Sequence, residues 1–359
     1  MTSVPQIKGS CPGALRPMMS GDGLVVRVRP FGGRLRRAQA DGIATLAAAH
    51  GNGRIDLSSR GNVQIRGVTE QSHGPLIEGL RRMGLIDPSA EVESRRNILV
   101  TPFWQTGEET EAFAASLCEA LTSQDAPALP AKFGFAVDTG RAPVLQTASA
   151  DIRLERDAGG GLILCADGAQ TGKPVTTETI IPEAMALAQW FMNTRADDKR
   201  MAGLLASGAA LPDEFFVPRQ GQSYVPAPGR SPLGALVGLA FGQMSVETLA
   251  SIAKHGGLRM TPWRMLLVEN ARELHWGGRV DHRPCRSALA RDRLHRRAAL
   301  SARTCRDPRS GANTCPLSGR GSAFACFGLC QGLRASQACP PDRHRNTGRS
   351  VADPRRARG

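Results

Sequence analysis

Two well-separated stretches of this chain spell the same order of elements, and any fold must accommodate both. In the first, residues 24–29 alternate as a strand and Gly32-Gly33 turns the backbone; a helical stripe over 35–50 stops at His50-Gly51, and residues 55–68 read as strand again. In the second, residues 236–241 lead to Gly242, a helix over 246–255 closes at Gly256-Gly257, and residues 258–268 complete a strand. Gly51 follows His50 as Gly256 follows His255, and Arg60 falls near Arg264 with a small gap. The recurrence predicts an internal duplication of an α+β unit.

Within the first copy, Leu24, Val26 and Val28 fall on one strand face and Arg27 and Arg29 on the other, while Val63 and Ile65 alternate with Asn62, Gln64 and Arg66. If these strands pair, Arg27, Arg29, Asn62, Gln64 and Arg66 share a polar sheet face, although an ordinary solvated face has the same pattern. Between the copies lies ESRRNILVTPFW, residues 93–104, where Arg95, Arg96 and Asn97 precede an apolar run ending at Thr101-Pro102. It reads as a buried strand with a polar entrance toward a ligand; a solvated loop would also carry an arginine pair. Further helices are expected over 76–83, 111–121 and 182–197, a strand over 131–137 beginning beside Lys132, and a hairpin over 152–166 turned at Gly159-Gly160-Gly161.

A chain of 359 residues has room for roughly two or three domains. No apolar run approaches a membrane span and no signal-peptide pattern opens the sequence, so a cytoplasmic protein without a membrane partner is expected. The formal net charge of +14 is unevenly carried. Residues 275–359 hold 18 Arg and no Lys against 5 Asp and no Glu, leaving 28 basic and 27 acidic residues in 1–274. Cys11, Cys118 and Cys165 lie in that near-neutral body, whereas Cys285, Cys305, Cys315, Cys326, Cys330 and Cys339 lie in the tail, which lacks Ile, Met and Tyr. Arginine without lysine, mixed with Cys and Pro, is unlike an ordinary basic arm, which argues against nucleic acid as a partner.

Five phrases occur in order: CPGALRPMMSGDGLVVRVRP, IDLSSRGNVQIRGV, ESRRNILVTPFW, LPAKFGFAVD and GLRMTPWRMLLVENA. Together they cover most of residues 11–273 and resemble the nitrite and sulfite reductase superfamily, within it most nearly the precorrin-3B synthase branch. The resemblance implies two pseudo-symmetric halves, each a ferredoxin-like half-domain followed by an α+β domain, with a tetrapyrrole at their junction. It implies that Arg60 and Arg96 match the family's anion-contacting arginines and Lys132 one of its two lysines, and these three are the expected catalytic residues. The second lysine position is Gly134 here, which argues against a six-electron sulfite or nitrite reductase. Arg27, Arg29, Arg66, Arg95 and Arg264 would add basic lining, and Asn62, Gln64, Asn97 and Thr101 neutral hydrogen bonds. The implied reaction is the oxygen-dependent conversion of precorrin-3A to precorrin-3B in aerobic cobalamin biosynthesis. Molecular oxygen supplies a hydroxyl at the ring-contraction carbon, a peripheral acetate closes a lactone, and an electron donor is required. Guanidinium forks suit so carboxylate-rich a substrate and would fix its orientation.

The family's 4Fe-4S cluster, with sirohaem or mononuclear iron beside it, calls for four cysteines spaced Cys-x5-Cys and Cys-x3-Cys in the last third. Only Cys326 and Cys330 reproduce one spacing; Cys305 and Cys315 miss the other. A shift of reading frame near Leu274 accounts for both the missing ligands and the odd tail. In the shifted frame a leucine codon can read as cysteine or as three other residue types, and the four cysteines would then fall on the codons of Leu294, Leu300, Leu329 and Leu333, four of only six leucines in the tail. The resulting expectation is a leader over 1–20, a first half-domain over 21–88, an α+β domain over 89–211 and a Pro/Gly-rich linker over 212–232. A second half-domain over 233–274 and a disordered or non-native tail over 275–359 complete it. Two other readings remain open: a sirohaem-dependent sulfite or nitrite reductase, and a tetrapyrrole-binding remnant without catalysis.

Overall fold

The computed structural model describes residues 13–221 and 224–271. Cys11 and everything expected of residues 275–359, including the change of frame and the cysteine spacings, lie outside the described residues.

The first copy runs β1 (Met18–Ser20), β2 (Gly23–Val28), β3 (Arg34–Leu35), α1 (Arg37–His50), β4 (Arg54–Leu57), β5 (Val63–Val68) and α2 (Glu70–Arg82). Val26, Val28, Ile55, Leu57, Val63 and Ile65 turn inward and share one core with Ile43 and Ala47 of α1 and Leu76 and Leu80 of α2. A middle region follows: α3 (Ala90–Arg95), β6 (Ile98–Val100), α4 (Glu109–Thr122), β7 (Phe135–Val137), β8 (Ile152–Arg156), β9 (Leu162–Ala166), β10 (Thr171–Pro174), α5 (Ile180–Thr194), α6 (Met201–Ala206) and β11 (Val217–Pro218). Its sheet has the order β11-β10-β9-β8-β7-β6, with β6, β7 and β8 parallel and the remaining pairs antiparallel. Phe113 and Leu117 of α4 and Leu187 and Phe191 of α5 close a second core over it. The second copy is β12 (Gly229–Ser231), β13 (Gly234–Gly238), β14 (Gln243–Ser245), α7 (Val246–Ala253), β15 (Leu258–Met260) and β16 (Met265–Glu269).

The two copies are interlocked by exchanged strands. One sheet reads β1-β2-β5-β4-β14 and the other β12-β13-β16-β15-β3, the same order with the halves interchanged. β14 extends the first sheet through Met244 opposite Ile55, and β3 extends the second through Leu35 opposite Leu258. Helices α1 and α7 pack together, so both copies contribute to a single core.

The pairing register corrects one expectation. Leu57 faces Val63 and Met260 faces Leu266, so the two turns align without a gap and the counterpart of Arg60 is Trp263, not Arg264. Arg264 corresponds to Gly61, and both are left-handed, at φ 60° and 65°. The turns are bracketed alike. Ser58 Oγ accepts from the amides of Arg60 and Asn62 at 3.3 and 3.1 Å, and Thr261 Oγ1 accepts from those of Trp263 and Met265 at 3.3 Å each.

Other boundaries move for identifiable reasons. The helix expected from residue 35 starts at Arg37 because Arg34 and Leu35 are extended against β15. The strand expected over 55–68 divides at Gly61 into β4 and β5. The helix expected over 76–83 begins at Glu70, where Thr69 Oγ1 accepts from the Ser72 amide at 3.1 Å. Residues 94 and 95 are not an extended entrance but the last turn of α3, whose start is capped by Ser89. The stretch expected as a linker, 212–232, carries β11 and β12, each paired in a sheet.

Candidate functional site

The polar face of the first sheet forms as the alternation predicts, with Arg27 opposite Gln64 in the β2–β5 register. Its members are largely committed to one another. With its amide oxygen toward the guanidinium, Gln64 accepts from Arg27 Nε at 3.3 Å and Nη2 at 2.9 Å. Arg66 donates to both carboxylate oxygens of Asp22, at 3.2 and 3.0 Å, and lies 3.7 Å from Asp56. At the far end of the face, Arg29 is buried and donates through Nη1 to the Glu93 carbonyl at 2.9 Å.

There the chain closes a cleft of about 10 Å³, space for about one water. Arg29, Arg60, Asn62, Arg96 and Asn97 line it, with Gly61, Leu99 and Met260 among their neighbours. Five of the twelve site residues predicted from sequence therefore converge. Lys132 joins them through its backbone, because Arg60 Nη2 donates to the Lys132 carbonyl at 3.1 Å, and its own side chain is exposed.

The adjacent arginines part company because they end a helix. Arg95 reaches the Ser123 carbonyl at the C-terminal end of α4, at 3.1 Å, where a cation suits the unpaired carbonyls. Arg96, 5 % exposed, donates from Nε and Nη2 to the two oxygens of Asp87 at 2.9 and 2.8 Å, and from Nη2 to the Arg29 carbonyl at 2.9 Å. Its guanidinium also lies 3.9 Å from the Phe31 ring centre. Nε and Nη2 are thus occupied within the protein. Asn97 donates to the Phe133 carbonyl at 2.8 Å, and its amide nitrogen would lie 2.5 Å from any Cβ added at Gly134. The volume of a side chain at 134 is already taken by Asn97.

Arg27, Gln64, Arg66, Arg95, Thr101 and Arg264 are outside the described lining of the cleft. Thr101 is buried at the end of β6, its amide bonded to the Val137 carbonyl at 2.9 Å. Arg264 is exposed on the β15–β16 turn and donates to the Phe241 carbonyl at 3.2 Å. Sequence reasoning missed the acids that hold the site. Glu93, buried, accepts from the amides of Ala14 and Leu15 at 2.5 and 3.1 Å, and a Cβ at Gly13 would lie 2.5 Å from its Oε2. Asp87 and Asp151 act likewise from positions with no periodic signal. Arg259 on β15 was also passed over: it donates to Glu269 at 2.6 Å and to the carbonyls of Pro102 and Trp104, and lies 4.0 Å from the Trp104 ring centre. The GLRMTPWR phrase thereby docks on the TPFW phrase.

Two groups near this region have shifted acidities. Burial pushes the Asp138 carboxyl up to about 6, despite the amides of Val144 and Leu145 that both bond to its Oδ2 at 2.7 Å. Burial also pushes the Cys165 thiol up to about 12. With Cys118 on α4 and Cys165 on β9, the described cysteines do not fit an iron–sulfur cluster, and no group of three or more His, Cys, Asp or Glu that could hold a metal occurs among the described residues.

Residues 16–83 match the nitrite/sulfite reductase ferredoxin-like half domain. A precorrin-3B synthase from a Sinorhizobium species is 33% identical over 153 residues, 41% of this chain and 32% of that protein. The match thus spans about a third of that relative's length. A solved structure, the NirA protein of Mycobacterium tuberculosis, is 17% identical, with a TM-score of 0.49 over 78% of this chain and 56% of that one. The chain is thus similar to the nitrite and sulfite reductases over one ferredoxin-like half domain, residues 16–83, and to a precorrin-3B synthase over a stretch of 153 residues.

Proposed function

We propose that the chain derives from a precorrin-3B synthase-type oxidoreductase, one that takes a carboxylate-rich tetrapyrrole and converts precorrin-3A to precorrin-3B with molecular oxygen. One oxygen atom enters the substrate as a hydroxyl, the other leaves as water with electrons from a donor, and a peripheral acetate closes the lactone. The observation that carries this reading is the convergence of Arg29, Arg60, Asn62, Arg96 and Asn97 on one cleft beside the exposed Lys132; the cleft itself has space for about one water, so the substrate would lie across its rim rather than within it. In this reading, Arg60 and Lys132 present positive charge to the substrate's carboxylates, and Asn62 and Asn97 offer neutral hydrogen bonds. Arg96, clasped by Asp87, contributes architecture rather than a free cation. The Asn97 amide in the space beside Gly134 supports the oxygen-using branch over a sulfite or nitrite reductase, since a second lysine there would meet it.

The family's cluster and its partner iron supply electron transfer when bound, but the described residues offer no donor set for them, and no step is assigned through either. We further propose that the 359-residue chain binds the tetrapyrrole without turnover because its reading frame changes near Leu274. Sequencing across the codons for Glu273 to Trp276, followed by expression of the restored frame, tests both parts. Aerobic conversion of precorrin-3A is expected from the restored protein and not from this chain. A confirmed frame with no downstream alternative encoding the four cysteines, or a restored protein without conversion, would sink the reading.

A further inference from the structure

Lys132 stands on a short strap, residues 130–134, tied through the carbonyls of Pro130 and Lys132 and through both backbone groups of Phe133 and Gly134. The Lys132 carbonyl accepts from Arg60 at 3.1 Å, the Phe133 amide closes a turn on Pro130 at 2.8 Å, and the Phe133 carbonyl accepts from Asn97 at 2.8 Å. Phe133 is buried, with its ring 4.6 Å from that of Phe191 on α5. Arg60 and Asn97 are members of the cleft, so they hold the strap from the ligand side. From the opposite side it is held by Asp151.

Asp151 is fully buried, and both of its oxygens are engaged. Oδ2 accepts from the Gly134 amide at 2.9 Å, while its own amide donates to the Gly134 carbonyl at 2.7 Å. Oδ1 accepts from the Met201 amide at the start of α6, also at 2.9 Å, and Arg200 Nε bridges both oxygens at 2.8 and 3.0 Å. A single carboxylate therefore joins the strap, α6 and a half-exposed arginine, two residues from Lys132. We propose that Asp151, oriented by Arg200, is a positioning residue that sets the placement of Lys132 against the carboxylates of a tetrapyrrole. The proposal rests on the tetrapyrrole reading of the cleft.

A double-mutant cycle on the full chain tests it, with uroporphyrin III, an octacarboxylate tetrapyrrole, as the probe and fluorescence quenching as the readout. Lys132→Ala is expected to weaken binding about ten-fold, the loss of one charge-assisted hydrogen bond. Asp151→Asn should weaken it several-fold, and the double variant should bind no worse than Lys132→Ala alone. Where Asp151→Asn fails to fold, Arg200→Gln takes its place in the cycle, since it removes the guanidinium that bridges both oxygens while leaving the two backbone bonds. Losses that multiply in the double variant would overturn the role of Asp151, as would unchanged binding in Asp151→Asn. If the parent chain does not bind uroporphyrin III, or Lys132→Ala leaves its binding unchanged, the tetrapyrrole reading of the cleft fails and the proposal falls with it.

Discussion

Replacing Asp87 by alanine separates two roles for Arg96. In the structure the two side chains are 4 and 5 % exposed and share two hydrogen bonds of 2.9 and 2.8 Å, and Arg96 makes a third to the Arg29 carbonyl. Removing one member of a buried pair leaves an uncompensated charge, which costs about 3–5 kcal/mol. For a body of this size, about 2–4 °C of melting temperature is lost per kcal/mol, so a fall of roughly 10–15 °C is expected. Urea unfolding should show a lower midpoint with an unchanged slope, because the surface exposed on unfolding stays the same. The paired replacement Asp87→Leu with Arg96→Met removes both charges, and should recover most of the stability, since apolar substitutes for a buried pair are often neutral or better. The opposite reasoning treats Arg96 as a cation held ready for a ligand. It predicts that Asp87→Ala frees the guanidinium, costs less than about 1 kcal/mol and tightens binding of a porphyrin carboxylate. That outcome would refute the clasp.

Gly134→Ala should destabilise by about 1–3 kcal/mol, since the new Cβ lies 2.5 Å from the Asn97 amide, and Asn97→Ala should relieve most of the loss in a melting experiment. Arg259→Met should cost about 3 kcal/mol by withdrawing donors from Pro102 and Trp104, with a red shift of Trp104 emission in a chain whose other tryptophans are phenylalanine. The Asp138 carboxyl, raised from an ordinary value of about 3.9 to about 6, binds its proton more tightly when folded. Its contribution is fully present below about pH 4 and is lost as pH rises through about 6, a change on the order of 3 kcal/mol. Asp138→Asn should flatten that part of the stability–pH profile; an unaltered slope would remove Asp138 as its cause.

What could be read from the residues was whatever repeats or alternates. The duplicated halves, the inward set Val26, Val28, Val63 and Ile65, and the hairpin at Gly159-Gly160-Gly161 all follow from period and turn chemistry. The strand exchange did not: Arg34 and Leu35 look like the start of a helix, and only the facing Leu258 and Arg259 make them a strand. The split between Arg95 and Arg96 was equally hidden, because it depends on α3 ending there, a helix of six residues that leaves little periodic trace. Asp87, Glu93 and Asp151 carry no local pattern at all. Their partners lie in distant segments, and a lone acid in sequence does not reveal which amide or guanidinium the fold will bring to it.

The duplication also accounts for the cleft lying on one side only. Both copies bring the same turn, bracketed by Ser58 or Thr261, toward the middle sheet, and both approach Leu99 at the centre of β6. A Cβ at Gly61 would lie 3.1 Å from Leu99 Cδ1, while Trp263 packs on the small cluster of Leu99, Val144 and Leu145. At the first turn Arg60 extends to the strap that leads into β7; at the second, Trp263 stacks at 6.4 Å on Phe103, which follows β6. The ion pairs beneath have diverged with them. Asp56 faces Arg66 in the first copy, and at the matching positions Arg259 faces Glu269 in the second, with the charges reversed. In the second copy the arginine is drawn into the seam with Pro102 and Trp104, and the turn above it is aromatic. The same scaffold therefore carries Arg60 on one turn and Trp263 at the matching position of the other, both turns meeting Leu99 of one strand. Packing of Trp263 on Leu99 and its neighbours holds the centre of β6 against the second half, which gives the Arg60 turn a rigid partner in Arg96 and Asn97 just before that strand.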